Sequence, residues 1–564
     1  MLFRKKKKED VQTCTDYKQL CELVKEQIAN VLRVNPYEMV GTQKELEGNL
    51  RFRSDLRMAM KQCVVGNYDA KVFIRDFIKE ILVIKLRLSE EQLNQVFGFS
   101  NHYSLSVKDK FAILLYKYEK IYDKQALAVF LHTYGLAEPK VNESKELYYE
   151  VTEEDIEDAY QKEGYIMLSF MDKINIAAQK IYEDTKGNGP IDSLFSMVLD
   201  GISGGVSGKN LSVSEFHILD GERYSYQSVW IFFEGKSIAL SFLKFASQKE
   251  FIRICKNIYR FHNPGQLSQV KGYIVNEMAD GSRVAVARPP FCESWVFFIR
   301  KFNSVCHKNM DDLLTDQNKV FPIQLLKWLI KGCQVIAITG EQGSGKTTLL
   351  MSLIHYIKPS YNLRIQELAF ELHLRKLYPE RNIVSFRETN FISGQEGLDF
   401  QKKTDGAVNI LGEVVSNEVC FWMIQMAQVA SLFTLFTHHA KTTRELIYSF
   451  RNALLMEGGF SEERIATEQV VHVLNFDVHM RKAEDGHRYI ERISEIIECS
   501  YNGKGSADHL YEIRELLLYR NGSYQVVHTM SETAKKRILE SLSQEEKQEF
   551  LGFLQDWREQ YDGR

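Results

Sequence analysis

Cysteine is scarce in this chain, nine in 564 residues, and no two are separated by only two residues. Paired-cysteine zinc sites and a disulfide framework are thereby excluded, and buried free thiols are expected. Net charge is also small, a formal −3, which rules out a strongly basic nucleic-acid binder but not a local basic patch. Long apolar runs are missing: none approaches the roughly 18 residues that would cross a bilayer. The opening MLFRKKKKED places the basic cluster Arg4 to Lys8 ahead of no apolar h-region, so it does not read as a signal peptide. It reads as a solvated terminus rather than a lipid anchor. The cytoplasm is the expected compartment.

What is present is the composition of a globular protein, 44% hydrophobic and 26% charged, long enough for three or four domains. The stretch that organises the rest is VIAITGEQGSGKTTLL, residues 335 to 350. Within it Gly340, Glu341, Gln342, Gly343, Ser344, Gly345, Lys346 and Thr347, followed by Thr348, fill the phosphate-binding pattern GxxxxGK[ST]. The apolar run Val335 to Ile338 reads as a buried strand, and Leu349, Leu350, Leu353, Ile354 and Ile357 recur at helical spacing. Strand, glycine loop and helix are the context the motif needs. Glycines let backbone N–H groups curl around phosphate oxygens, and the helix N-terminus adds roughly half a positive charge. Lys346 is expected on the β- and γ-phosphates of ATP, and the Thr347 hydroxyl on Mg²⁺.

The surrounding chain divides by texture. Residues 1–180 read as a helical module with a docking role, and Ser89 to Gln92 and Thr152 to Asp155 look like capping boxes. Residues 181–302 read as a smaller α/β domain: Gly201 to Gly208 as a loop, Phe216 to Leu219 as a strand, and Ser228 to Phe233 as a hairpin partner of Ser237 to Phe242. A linker over 303–320, the P-loop domain over 321–498 and an α/β-to-helical tail over 499–564 complete the expectation.

Ile392-Ser393-Gly394-Gln395-Glu396 faintly echoes a transporter signature but falls only about fifty residues after Lys346, and reads as a loop. Lys402-Lys403-Thr404-Asp405 lacks the asparagine of a guanine-reading motif and reads as a charged turn. Other motifs follow one another in a known order: Asp280-Gly281-Ser282-Arg283, Pro289-Pro290 and Phe298 to Phe302 before the P-loop; then Arg364 to Leu372, Asn409-Ile410-Leu411-Gly412-Glu413-Val414, and Thr437-His438-His439-Ala440. In this the chain, over about residues 185 to 500, resembles the secretion ATPases that serve type II and type IV secretion and type IV pili, and among them the Tad/Flp pilus branch.

The resemblance implies a RecA-like P-loop ATPase domain behind a smaller α/β domain, working with ATP and Mg²⁺ as a homohexamer on an inner-membrane platform protein, without nucleic acid. It implies that Glu413, on a strand laid beside the P-loop strand, orients or deprotonates water. Glu367 and Glu371 share a helix face or flank a turn toward Mg²⁺ or its waters, and His439 senses the γ-phosphate while His438 points away. Arg283, Arg300, Arg364 and Arg387 are candidates for charge on the phosphates. The chain departs from the family in three places: Asp405-Gly406-Ala407-Val408 offers no acid directly before Val408, Gln366-Glu367 stands where Glu-Asp is common, and Val415 follows Glu413-Val414 in place of arginine.

Overall fold

The computed structural model describes residues 16–33, 43–101, 105–142, 144–164, 166–206, 228–302, 309–368, 370–389, 392–429, 431–483, 485–499 and 510–562. The Arg4 to Lys8 cluster and the Phe216 to Leu219 run lie outside them. The chain forms two compact units, Met1–Ser304 and Val305–Arg564.

In the first unit, amphipathic helices fill the expected helical module. Ser89 and Thr152 cap theirs through reciprocal bonds with Gln92 and Asp155, each satisfying donors that a helix start leaves open. A short antiparallel pair, β1 (Lys140–Val141) and β2 (Leu147–Tyr148), precedes a seven-stranded sheet. Its strands are β3 (Glu150–Val151), β4 (Gly201–Gly204), β5 (Val229–Phe233), β6 (Lys236–Leu240), β7 (Tyr273–Glu277), β8 (Arg283–Ala287) and β9 (Val296–Arg300), in the order β3-β6-β5-β4-β9-β8-β7.

The expected hairpin is β5 and β6. The expected loop at Gly201 is instead the central strand β4, and close packing explains the glycines. A Cβ on Gly201 would come within 2.6 Å of the Ile299 carbonyl oxygen, and one on Gly204 within 2.5 Å of the Phe297 ring. Here glycine marks close backbone approach inside a strand. Leu20, Ile74 and Ile174 of the helices share one core with Ile202, Ile231 and Phe297 of the strands, so the helical module and the smaller α/β domain are packed as one body.

The second unit is built on a nine-stranded sheet: β10 (Ile336–Gly340), β11 (Leu363–Glu367), β12 (Ile383–Arg387), β13 (Val408–Leu411), β14 (Phe433–His438), β15 (Phe476–Lys482), β16 (Arg488–Glu498), β17 (Tyr511–Arg520) and β18 (Ser523–Val526). The order is β12-β11-β13-β14-β10-β15-β16-β17-β18. The first six strands are parallel and the last three antiparallel. All five residues of β10 and all four of β13 are buried, as a parallel sheet with covered faces requires. This is a RecA-like α/β arrangement. The structure corrects one expectation: β13, which leads to Glu413, does not lie beside the P-loop strand, because β14 is inserted between them.

Residues of the expected linker and tail belong to this body. Met310 and Leu314 enter its core, β17 and β18 extend its sheet, and in the last helix Phe550 packs with Trp328 and Trp557 with Phe321. The Ser393 segment, expected as a loop, starts the helix Gly394–Gln401, with Ser393 and Glu396 forming its capping box.

One buried acid in the first unit makes a pH prediction. Glu183 is 7% exposed and accepts a hydrogen bond from Gln179 Nε2 at 2.9 Å. Desolvation lifts its carboxyl from the ordinary 4.5 to about 7, opposed by Lys108 and Lys71 and reinforced by Asp192. Between those two values the folded chain holds a proton that the unfolded chain has released, so stability falls as pH rises through this window. Glu183→Gln should flatten that part of the thermal-stability profile between about pH 5 and pH 7, read by melting temperature; an unchanged slope would remove Glu183 as its source.

Candidate functional site

The carboxyl ends of parallel strands are where an open α/β sheet binds ligands, and the sequence places its polar residues there. β10 ends in the loop Gly340 to Gly345, and the helix Lys346–Leu353 follows at once. Gly340, Gly343 and Gly345 take φ of +136°, +79° and +97°, backbone that side chains rarely adopt. At Gly340 space is closed as well, since a Cβ would meet the Met480 carbonyl oxygen at 2.2 Å. Lys346 is 7% exposed, and its Nζ donates to the Gly340 and Glu341 carbonyls, both at 2.9 Å. Thr347 and Thr348 follow in the first helical turn.

The inserted strand β14 brings His439 to this ammonium. Lys346 Nζ stands 3.4 Å from His439 Nδ1, and His439 Nε2 stands 2.7 Å from Glu413 Oε1. A lysine can only donate and a carboxylate only accept, so the neutral ring that fits carries its proton on Nε2 and accepts at Nδ1. The imidazole links the P-loop to Glu413, and side-chain exposures of 47% for His439 and 35% for Glu413 leave both open to a ligand or water. His438 points away: its ring is buried, Nδ1 meets the Val414 carbonyl at 2.8 Å, Nε2 meets Ser449 Oγ at 3.1 Å, and burial lowers its pKa.

Glu367 closes β11 beside the Gly412 turn that follows β13; a Cβ on Gly412 would touch its Cγ at 3.2 Å. Its Oε1 accepts the backbone N–H groups of Glu371 and Leu372 at 2.9 and 2.8 Å. The two glutamates therefore flank a turn rather than share a helix face. Oε2 is buried and makes no hydrogen bond of good geometry, and desolvation lifts this carboxyl to about 8, with the two N–H groups and the nearby Ser385 hydroxyl pulling the other way. Such a buried acceptor at the phosphate end of the sheet fits a cation brought in with a ligand. Among the described residues no three His, Cys, Asp or Glu side chains gather into a protein-only metal site. The groups at this edge that could hold a cation brought in with a nucleotide are the Thr347 hydroxyl and, through water, Glu367 or Glu413, few enough for Mg²⁺, which keeps waters and phosphate oxygens as ligands.

The arginine candidates separate. Arg364 lies near the start of β11, buried, donating to the Leu363 carbonyl, Asn382, Thr404 and the Asp405 carboxylate. It is a structural residue, and its pairing also accounts for Asp405, which sits at the end of β13 away from the P-loop. Arg387 ends β12 with its guanidinium 5.0 Å from the Phe370 ring centroid. Arg283 and Arg300 face each other across β8 and β9 in the first unit. Arg488, on β16, went unnoticed in the sequence: its Nε donates to the Gly343 carbonyl at 3.0 Å, and its Cδ lies 3.4 Å from where a Cβ on Gly345 would be. No local motif could have found it, because an antiparallel pairing brings it back over a P-loop 145 residues earlier.

Beneath the loop, Asp477 is fully buried between the hydroxyls of Thr339 and Thr443, each donating at 2.6 Å, and Thr339 Oγ1 also lies 2.9 Å from His479 Nδ1. Satisfied polar groups of this kind fix the two strands in register under the site.

No protein-family model matches the sequence, and no curated protein matches it. Among solved structures, the chain is similar to the VirB11 ATPase from the Brucella suis type IV secretion system, with 18% identity over 53% of this chain and 89% of that one and a TM-score of 0.28. It is also similar to the Legionella pneumophila ATPase DotB, with 12% identity, 64% and 84% coverage and a TM-score of 0.35. The pilus retraction motor PilT with bound ADP gives 14% identity, 63% and 85% coverage and a TM-score of 0.36.

Arg488→Ala should leave the melting temperature nearly unchanged and weaken affinity for a triphosphate nucleotide about tenfold, the effect of losing one charge-assisted hydrogen bond that holds the loop. Equilibrium binding of a fluorescent nucleotide measures it, and unaltered affinity would show that the clamp is incidental.

Proposed function

We propose that the chain is a Mg²⁺-dependent ATPase of the secretion and pilus class, and that its work is assembly of a Tad/Flp-type pilus or transport through a type II or type IV secretion machine. The observation that carries the reading is the hydrogen-bonded series from Lys346 through His439 to Glu413, set at the end of a P-loop sheet. Transfer of a phosphoryl group to water needs a cation on the phosphates, positive charge on the transition-state oxygens and a group that orients the attacking water.

On binding ATP, Lys346 leaves the two loop carbonyls for the β- and γ-phosphates, which satisfy its ammonium more fully. Thr347 and, through water, Glu367 or Glu413 would hold Mg²⁺, which would supply charge neutralisation on the phosphate oxygens. His439, relieved of its lysine, turns its Nε2–H from Glu413 to a γ-phosphate oxygen, which accepts it, and so registers whether that group is present. Glu413 accepts a hydrogen bond from the attacking water and aligns it. Glu371 holds the turn that aims Glu367.

In this reading Arg283 and Arg300 bring charge to the nucleotide from the smaller α/β domain, of the same or a neighbouring protomer in a homohexamer. Closure of that domain on ATP converts hydrolysis into rigid-body motion. No helix among the described residues is long and apolar enough to cross a membrane, and a platform protein in the membrane receives the motion in this scheme.

A second reading, a nucleotide-gated assembly protein that does not hydrolyse ATP, is favoured by one feature: exposed Val415 follows Glu413-Val414 where the secretion ATPases commonly carry arginine. Turnover separates the two. Lys346→Ala should weaken nucleotide binding by at least about a hundredfold, since it removes a charged phosphate ligand, whereas Glu413→Gln should keep binding and lower turnover by a factor on the order of a thousand. Wild-type protein without ATPase activity above background, assembled and with Mg²⁺, would sink the enzymatic reading, and equal rates for Glu413→Gln and wild type would remove Glu413 from it.

A further inference from the structure

The helix Gln248–Ile258 divides its surface sharply. Phe251, Ile254, Cys255 and Ile258 are buried against the first unit's core. The opposite side carries Lys249, Arg253, Lys256 and, just past the helix end, Arg260, at spacings of four, three and four that align them in one stripe. These cations border a common shallow surface depression. Arg253 donates to the Gly187 carbonyl at 3.1 Å and stands 4.0 Å from Glu250, whose own carboxylate is engaged by the Ala246 N–H at 2.7 Å. Among the described residues, Lys249, Lys256 and Arg260 have no carboxylate partner.

The stripe continues around the sheet edge. Trp295 is flanked by Lys256 at 5.6 Å and Arg288 at 5.2 Å from its ring centroid. Arg288 opens the turn that carries Phe291, whose N–H bonds back to the Arg288 carbonyl. Phe291 is 63% exposed and packs on Tyr273, 53% exposed, with centroids 5.1 Å apart. Two residues before Gly272, against which Phe291 rests, Val270 is 99% exposed next to Lys271. Single exposed apolar residues are ordinary, but three neighbours on the rim of a basic stripe with three cations lacking a carboxylate partner among the described residues are not.

We propose that this face docks the protein directly on an anionic bilayer surface, the cations meeting lipid phosphates and Val270 and Phe291 entering the interfacial layer. Charge complementarity selects the occupant: a surface of fixed negative charge rewards each nearby Lys or Arg by about fivefold in affinity. The apolar tips decide between a membrane and a nucleic-acid backbone, since burial in the acyl boundary rewards them and a phosphate backbone does not. The docking does not depend on how ATP is used.

The test is sedimentation of the full chain with vesicles of phosphatidylcholine alone or mixed with phosphatidylglycerol, at low and high salt. Wild type should bind the anionic vesicles at least about tenfold better than the neutral ones, and salt should weaken that binding. The triple variant Lys249→Glu, Lys256→Glu, Arg260→Glu should lose about a hundredfold, and Val270→Asp should lose several-fold, both keeping the wild-type thermal-unfolding profile as proof of folding. Equal binding to both vesicle types, or a triple variant that binds like wild type, would overturn the proposal. So would a loss produced only by replacing Lys5 to Lys8 with glutamine, which would assign the affinity to the N-terminal cluster. Binding to a DNA oligonucleotide that the triple variant abolishes, with no vesicle binding, would overturn it in favour of nucleic acid.

Discussion

β14 separates the P-loop strand from the strand that delivers Glu413, and at about 4.8 Å per strand their ends stand roughly 10 Å apart. That gap has two consequences. It leaves room at the carboxyl edge for a phosphate group between loop and carboxylate, and it must be bridged if the two ends are to act together. The residue that follows β14 does the bridging: His439 reaches Lys346 with one ring nitrogen and Glu413 with the other. Its ring can relay the position of the lysine to the carboxylate because the two bonds demand a single tautomer. The histidine next to it in sequence, the last residue of β14, is spent on the Val414 carbonyl and Ser449, so the His-His pair has one buried member and one, just past the strand, that faces the P-loop.

The rest of the unit holds that edge in place. Asp477, with both oxygens bonded to threonine hydroxyls, ties β15 and the helix Thr443–Met456 to the P-loop strand. Arg488 reaches over from β16 to the loop itself. The antiparallel strands β16 to β18 and the last helix complete the sheet edge beyond β15 and cover Trp328. Glu367 is the exception to this order. One of its oxygens accepts two backbone N–H groups and the other is buried without a geometric hydrogen bond, so this carboxyl is the least fully satisfied polar group at that edge.

Much of this was legible in the sequence because local rules govern it. The strand, loop and helix around Lys346 follow from apolar runs, glycines and helical spacing, and the capping boxes at Ser89 and Thr152 follow from donor geometry. His438 and His439 do face opposite ways, as a continued strand would place them, although β14 ends at His438. What escaped depends on partners distant in the chain. Gly201 to Gly204 looked like a loop, since nothing local shows that Phe297 and the Ile299 carbonyl occupy the space of the missing side chains. Strand order is likewise not written in any one strand, so Glu413 was expected next to the P-loop. Arg364 looked free to meet phosphate until the fold paired it with Asp405, and Arg488 had no motif to announce it.

The central claim is that His439 couples Lys346 to Glu413, and a double-mutant cycle of steady-state ATP turnover tests it most directly. Rates would be compared for wild type, His439→Ala, Glu413→Gln and the double variant. Coupled residues predict strong non-additivity, the double variant hydrolysing ATP no more slowly than Glu413→Gln alone. Losses that multiply would show the two residues acting independently and contradict the account.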